Sequence, residues 1–210
     1  MRTRTVLFAF GVGLMALTGC ASTDEVTTLE IRATPPATEA PAKASDGLRA
    51  IVAAFEDARP DPKGLGTRFH LLGGTSSFDV TGGKPAEVVA PLIAEYLKQK
   101  GWRAEAVKAG DVSTAGSRDV VITGKLMEMS VNATSRMFST KITATTKLAI
   151  QARNTGDDSV VRTTLSGGGS QSVFWYDSED AERLLNDVLT DSLERLLTTT
   201  KVENNLLRLK

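Results

Sequence analysis

The 210-residue sequence predicts an α+β fold: a two-layer α/β sandwich in which a mostly antiparallel sheet carries two main helices on one face. Three observations predict it. From Met137 to Arg153, Phe138, Ile142, Ala144, Leu148 and Ile150 alternate with Ser139, Lys141, Thr143, Thr145, Lys147 and Gln151. That is the period of a strand with one face on a core and the other in water or against a partner. Two other stretches carry the helical period: Val89, Leu92, Ile93, Tyr96 and Leu97, and a longer stripe of Ala181, Leu184, Leu185, Val188, Leu189, Leu193, Leu196 and Leu197. Turn signals at Gly82-Gly83, at Gly101 and at Asn154-Thr155-Gly156-Asp157-Asp158 separate these runs.

In chain order, Leu48–Phe55 is an apolar run bounded by Glu56-Asp57 and Pro60, the pattern of a buried first strand. Short strands are expected at Arg68–Leu72 and Ser76–Val80, punctuated by Gly64, Gly66, Gly73 and Gly74. Pro85 opens the first helix, where its missing N–H costs nothing, and Gly101 caps its end. Trp102–Val107 follows as a strand. Asp119–Thr134 is a long strand with a bulge expected at Gly124, and Ser159–Val173 returns after Met137–Arg153. The second helix runs from Ser178 to Thr198, N-capped by Asp177, with Glu179 and Asp180 at the positive end of its dipole. A short terminal helix is expected at Val202–Leu209.

The N-terminus is an address. Arg2 and Arg4 precede an uncharged run from Val6 to Leu17, and Gly19 precedes Cys20, the chain's single cysteine. As a helix the run is about 18 Å long, short of the ~30 Å of a bilayer core. It reads as a signal peptide over residues 1–19, removed between Gly19 and Cys20. The ending Leu17-Thr18-Gly19-Cys20 resembles the lipobox of bacterial lipoproteins. That resemblance implies a diacylglycerol on the Cys20 sulfur and two or three acyl chains in all, enough for stable anchoring. Ala21, not an aspartate, follows the cysteine, which implies sorting to the outer membrane with the domain facing the periplasm. Ala33–Asp46, rich in Pro and Ala, reads as a flexible tether over residues 20–47, with a short strand at 26–33. Fully extended, the stretch from Cys20 to Leu48 would reach about 90 Å. A single domain is then expected over 48–210.

Composition excludes several function classes. Removing residues 1–19 takes away Arg2 and Arg4 and no acid, so 25 basic and 25 acidic residues become 23 and 25, a charge of −2. Such balance argues against a nucleic-acid partner. One cysteine provides neither a disulfide framework nor a thiolate metal site, and no cofactor is expected.

The reactive side chains form no catalytic constellation. His70 is the only histidine, so no multi-His metal site or assignable triad exists. Gly82-Gly83-Lys84 fails as a phosphate loop, because Phe78 and Pro85 stand where a glycine and a hydroxyl are required. Gly167-Gly168-Gly169 lies within a strand and marks a bulge or a close backbone approach. Asp57 and Arg59, at the end of the first strand, are placed to pair, as a loop-fixing ion pair or as a binding pair. Gly116-Ser117-Arg118-Asp119 offers a second such couple.

The lipobox, the Pro-containing tether, the Phe55-Glu56-Asp57-Ala58-Arg59 step, Thr27-Thr28-Leu29-Glu30-Ile31 and Asn186-Asp187-Val188-Leu189-Thr190-Asp191 together resemble the YajG-like bacterial lipoproteins. The resemblance implies an envelope location and an accessory role in transport or assembly, and brings no catalytic residues. The expectation is therefore a non-enzymatic, membrane-anchored periplasmic lipoprotein that binds an envelope protein, with homo-oligomers among its assemblies. The docking surface expected is the polar face of Met137–Arg153 or an open sheet edge beside it. The alternative is a carrier or sensor of a small envelope ligand, a lipid or a peptidoglycan fragment, which requires a pocket of ~300–1,000 Å³. Hydrolysis ranks behind both for want of an activated nucleophile.

Overall fold

Strand Asp119–Arg136 is the spine of a computed structural model that describes residues 25–35, 49–108, 111, 115–116 and 119–210. The elements in order are β1 (Glu25–Leu29), β2 (Arg49–Ala53), β3 (Glu56–Asp57), β4 (Gly66–Phe69), β5 (Thr75–Val80), α1 (Pro85–Gln99), β6 (Arg103–Val107) and β7 (Asp119–Arg136). They continue with β8 (Ser139–Asn154), β9 (Val160–Val173), α2 (Ser178–Thr199), β10 (Thr200–Glu203) and β11 (Leu206–Leu209). The fold is mixed α+β, a large sheet with two helices. Along one edge β7 is antiparallel to β8 for its full length, and β8 is antiparallel to β9. Along its other edge β7 is parallel to β2, then β3, then β4 in succession. Beyond β2 lies β6; beyond β4 lie β5 and then β1.

The sheet is thus more mixed than the expected mostly antiparallel one. The strands of the parallel wing, β2–β6 and β1–β5 among them, are joined by long connections and pair without any signature in local alternation. The inward residues of β7 are Val120, Ile122 and Leu126, then Met129, Val131 and Ala133. The change from even to odd numbers marks a bulge between Leu126 and Glu128, where one extra residue keeps the apolar set on the core side. The bulge is therefore at Met127, not at Gly124. Gly124 instead makes room: a Cβ there would come within 2.4 Å of the Phe55 ring and of the Ala149 carbonyl.

Three further expectations are corrected. Val202–Leu209 is not a helix but the core of the β10–β11 hairpin, because Asn204 and Asn205 both take positive φ (52° and 59°) and close a two-residue turn. The Asn154 side chain docks this hairpin by accepting from Leu207 N–H (2.7 Å) and donating to Leu207 C=O (3.0 Å). Arg68–Leu72 is a strand only to Phe69. Gly73 and Gly74, at φ 91° and 89°, turn the chain so that Leu71 and Leu72 sit outside the ladder. Likewise Phe138 lies in the β7–β8 turn and not on the inward face.

The described N-terminal segment from Glu25 packs on the folded body, so that body includes residues ahead of Leu48. β1 pairs in parallel with β5, and Leu29 is fully buried. The extended residues that follow are tied to α2: Glu30 N–H donates to Glu182, Arg32 N–H to Asn186 and Thr34 N–H to Thr190, at 2.8, 2.9 and 3.2 Å. Asn186 also donates to Glu30 C=O at 3.0 Å. The periods match, since two extended residues rise about 6.6 Å and four helical ones about 6.0 Å. The tether expected from Ala33 onward is docked as far as residue 35, and residues 36–48 lie outside the described residues, as do Gly19 and Cys20.

Helix α2 is capped at Asp177, which accepts from Glu179 N–H, and it presses Ala181, Leu185, Val188, Leu189 and Leu193 into the core. It can lie this close because β9 has no side chains beneath it at Gly167 and Gly169. A Cβ on Gly167 would meet Ser192 Oγ at 2.4 Å and Val188 O at 2.9 Å, whereas on Gly168 it would meet nothing nearer than 3.8 Å. Close backbone approach, not a bulge, is the reason for the glycine run. Gly167→Ala should therefore cost about 1–3 kcal/mol of unfolding free energy through overpacking. Gly168→Ala should be close to neutral, and urea denaturation of the pair checks the contrast.

Candidate functional site

Asp57 and Arg59 meet as the sequence anticipates. Arg59 is buried and donates from Nε and Nη2 to the two carboxylate oxygens of Asp57, both at 2.9 Å. Its remaining donors reach Gly64 C=O (2.7 Å) and Pro62 C=O (2.9 Å). Four hydrogen bonds from the guanidinium are made within its own loop, so the pair fixes residues 57–64. The hydrogen bonds from Arg59 hold the Asp57 carboxyl below the usual carboxylate range. In the second couple, Ser117 and Arg118 lie outside the described residues. Asp119 accepts from Gly116 N–H at 2.6 Å and pairs with Arg49 at 3.5 Å. Gly82-Gly83-Lys84 forms the turn into α1, with Lys84 as its N-cap. His70 Nε2 lies 3.1 Å from Ser76 Oγ. Among the described residues no group of His, Cys, Asp and Glu is placed to hold a metal ion, and no helix is long and apolar enough to cross a membrane.

The surface anticipated for docking is present. On β8, Thr140, Ile142, Ala144, Thr146, Leu148, Ile150 and Ala152 are buried, while Lys141, Thr143, Thr145, Lys147 and Gln151 line the opposite face. That face is laced by hydroxyls: Ser130 and Thr145 are 2.8 Å apart, and Thr145 donates to Glu128 at 2.6 Å. At the side of this face β9 pairs only with β8 among the described residues. Its 14 residues include one charge, Arg162, and no proline.

The most unusual surface was not anticipated. Three connections meet at one end of the sheet: the β4–β5 turn with Leu71 and Leu72, the β7–β8 turn with Met137 and Phe138, and the β9–α2 link with Phe174 and Trp175. Leu72 is 98 % exposed, Trp175 83 %, Met137 74 % and Phe138 70 %. Phe174 and Trp175 stack edge to face with ring centres 5.2 Å apart. Beneath them Arg68 lies 3.8 Å over the Tyr176 ring, and burial pushes the Tyr176 phenol up to about 12. The charged or titratable side chains lining the depression between the turns are Arg68, His70, Arg136 and Tyr176. The sequence signal was there: three apolar pairs, each beside a turn. Alternation alone assigned the first two pairs to strands.

The class so defined is a mixed α+β domain with a large sheet, two helices, a bare polar sheet face and an apolar, aromatic end. No family model and no curated protein matches the sequence. Among solved structures it is similar to a DUF330 protein from Xanthomonas campestris, at 12% identity over 82% of this chain and 92% of that one, with a TM-score of 0.48. It is also similar to the PelC dodecamer from Paraburkholderia phytofirmans (14% identity, 75% and 91% covered, TM-score 0.37). A third is the lipoprotein GNA1162 from Neisseria meningitidis (13% identity, 71% and 98% covered, TM-score 0.34).

Asp57→Asn should lower stability at neutral pH by about 3 kcal/mol, since it leaves a buried guanidinium without its counter-charge. The native Asp57 carboxyl is depressed relative to the unfolded chain. Its contribution is therefore present above the unfolded value near 4 and is lost as pH falls through the folded one. Denaturation curves of both proteins should accordingly converge in acid.

Proposed function

We propose that this chain is a non-enzymatic, lipid-anchored envelope protein of the YajG-like kind, a two-layer α/β sandwich that acts by binding another protein. The anchor is Cys20, acylated after cleavage behind Gly19. Ala21 favours the outer membrane, with the domain in the periplasm. The observation that carries the binding role is the outer edge of β9. Long edge strands in soluble proteins are protected by charges, prolines, bulges or short length, because an open ladder templates another strand. β9 has length, a single charge and no proline, the properties of a strand that accepts a partner strand by β-augmentation. The hydroxyl-rich face of β8 beside it supplies polar contacts for side chains of the added segment.

A second reading rests on a different observation. A half-open cleft of about 540 Å³ lies between α1 and residues 30–34, with Ile31, Val88, Pro91 and Leu92 as apolar walls and Arg32 and Glu87 at its rim. Its size suits a small envelope ligand.

Photo-crosslinkers placed in turn at Thr164, Ser166, Ser170 and Lys147 in living cells separate the two. The protein-binding role predicts one discrete product joining the chain to an envelope protein, or to a second copy if the chain self-assembles. An intact, membrane-bound protein that yields no product at any position contradicts it and leaves the cleft as the working site. Cys20→Ser should shift the protein from the membrane pellet to the soluble periplasmic fraction; continued pelleting would contradict the anchor.

A further inference from the structure

We infer that the apolar end of the sheet rests on the same phospholipid surface that holds the acyl chains, as a second membrane contact that fixes the orientation of the domain. The inference rests on the Cys20 anchor proposed above and adds what an anchor by itself does not require: a defined face down.

The strand registers place the anchor and the apolar end together. Glu25, the first residue of β1, lies opposite Ser76 near the start of β5, and Thr75 lies opposite Phe69 at the end of β4. β4 runs parallel to β7, with Phe69 opposite Thr134, so its end coincides with the β7–β8 turn. Val173, the last residue of β9, lies opposite Thr140 at that same turn. Glu25, the first described residue, is therefore at the end that bears Leu71, Leu72, Met137, Phe138, Phe174 and Trp175.

The chain length then sets how far that end can stand from the lipid. Glu25 is five positions after Cys20, a span of at most about 18 Å. The long tether read from the sequence does not separate body and anchor, because the Pro/Ala-rich stretch follows β1 and does not precede it. A domain held this close has its apolar end within reach of the headgroup layer.

The chemistry of that end suits this occupant. Trp and Phe at the tips, with Leu and Met beside them, are the side chains that settle at the boundary between headgroups and acyl chains. The cations Arg68 and Arg136 line the depression between the tips, and no carboxylate does, which favours phosphate-bearing headgroups. The other occupant the surface would accept is a second copy of the chain, joined tip to tip.

The test uses the full acylated protein carrying Trp102→Phe, which leaves Trp175 as the only tryptophan. It is reconstituted into vesicles of phosphatidylethanolamine and phosphatidylglycerol, with and without bromine on the upper acyl carbons. The inference predicts a blue-shifted Trp175 emission that loses intensity in the brominated vesicles and does not change when the protein is diluted with more lipid. Leu72→Asp with Phe138→Asp, both at exposed turn positions, should return the emission to that of an indole in water while the chain stays bound. An acylated, vesicle-bound protein whose Trp175 is unquenched overturns the orientation and leaves the anchor standing. A shift that follows protein density and not bromine assigns the surface to a second copy and also overturns it. Mass spectrometry of the same sample reports the anchor separately; a Cys20 without acyl groups overturns the anchor and this orientation with it.

Discussion

The fold depends on one strand being long enough to be paired along both edges. β7 spans 18 residues, and its single bulge at Met127 allows the same face to remain apolar from Val120 to Ala133. Along one edge it supports the β8–β9 ladder on which α2 lies. Along the other it holds β2 at its beginning and β4 near its end, so the parallel wing with β6 and the outer wing with β5 and β1 are both set by its length. A shorter β7, or one whose inward set flipped at the bulge, would lose one wing or expose the core.

That arrangement has a consequence for the N-terminus. Because β4 pairs at the far end of β7, β1 is carried there too, and the segment after it is fastened to Glu182, Asn186 and Thr190 of α2. Glu25, the first described residue of the segment, and the three apolar turns are thereby gathered at one end. The polar face of β8 and the outer edge of β9 run away from that end.

Much of this was legible in the sequence and some was not, for identifiable physical reasons. Alternation and helical stripes located β8, α1 and α2, since each buries one face and its sequence records that face directly. The Asp57–Arg59 pair was legible because both partners lie two residues apart in a loop. Pairing partners were not: nothing local in Arg49–Ala53 or Glu25–Leu29 records that these strands join a parallel wing. The role of Gly124 was misread because a glycine in a strand signals a bulge or a close approach without saying which, and here Phe55 occupies the space. The apolar end was missed because Leu71-Leu72 and Met137-Phe138 continue the hydrophobic character of the strands they leave. The Pro/Ala-rich stretch was read as the whole tether because composition does not reveal that Thr34 N–H bonds to α2.

The docking of residues 25–35 on β5 and α2 is the claim on which the placement of the N-terminal segment rests. Hydrogen exchange of the protein, resolved to single backbone amides by NMR, tests it most directly. The account predicts that the amides of Glu30 and Arg32 exchange with protection comparable to that of the inward ladder of β7, and that Asn186→Ala releases them selectively. Exchange of those amides at the rate of an unstructured chain in the native protein would contradict it, and would return the N-terminus to the long free tether that its composition suggests.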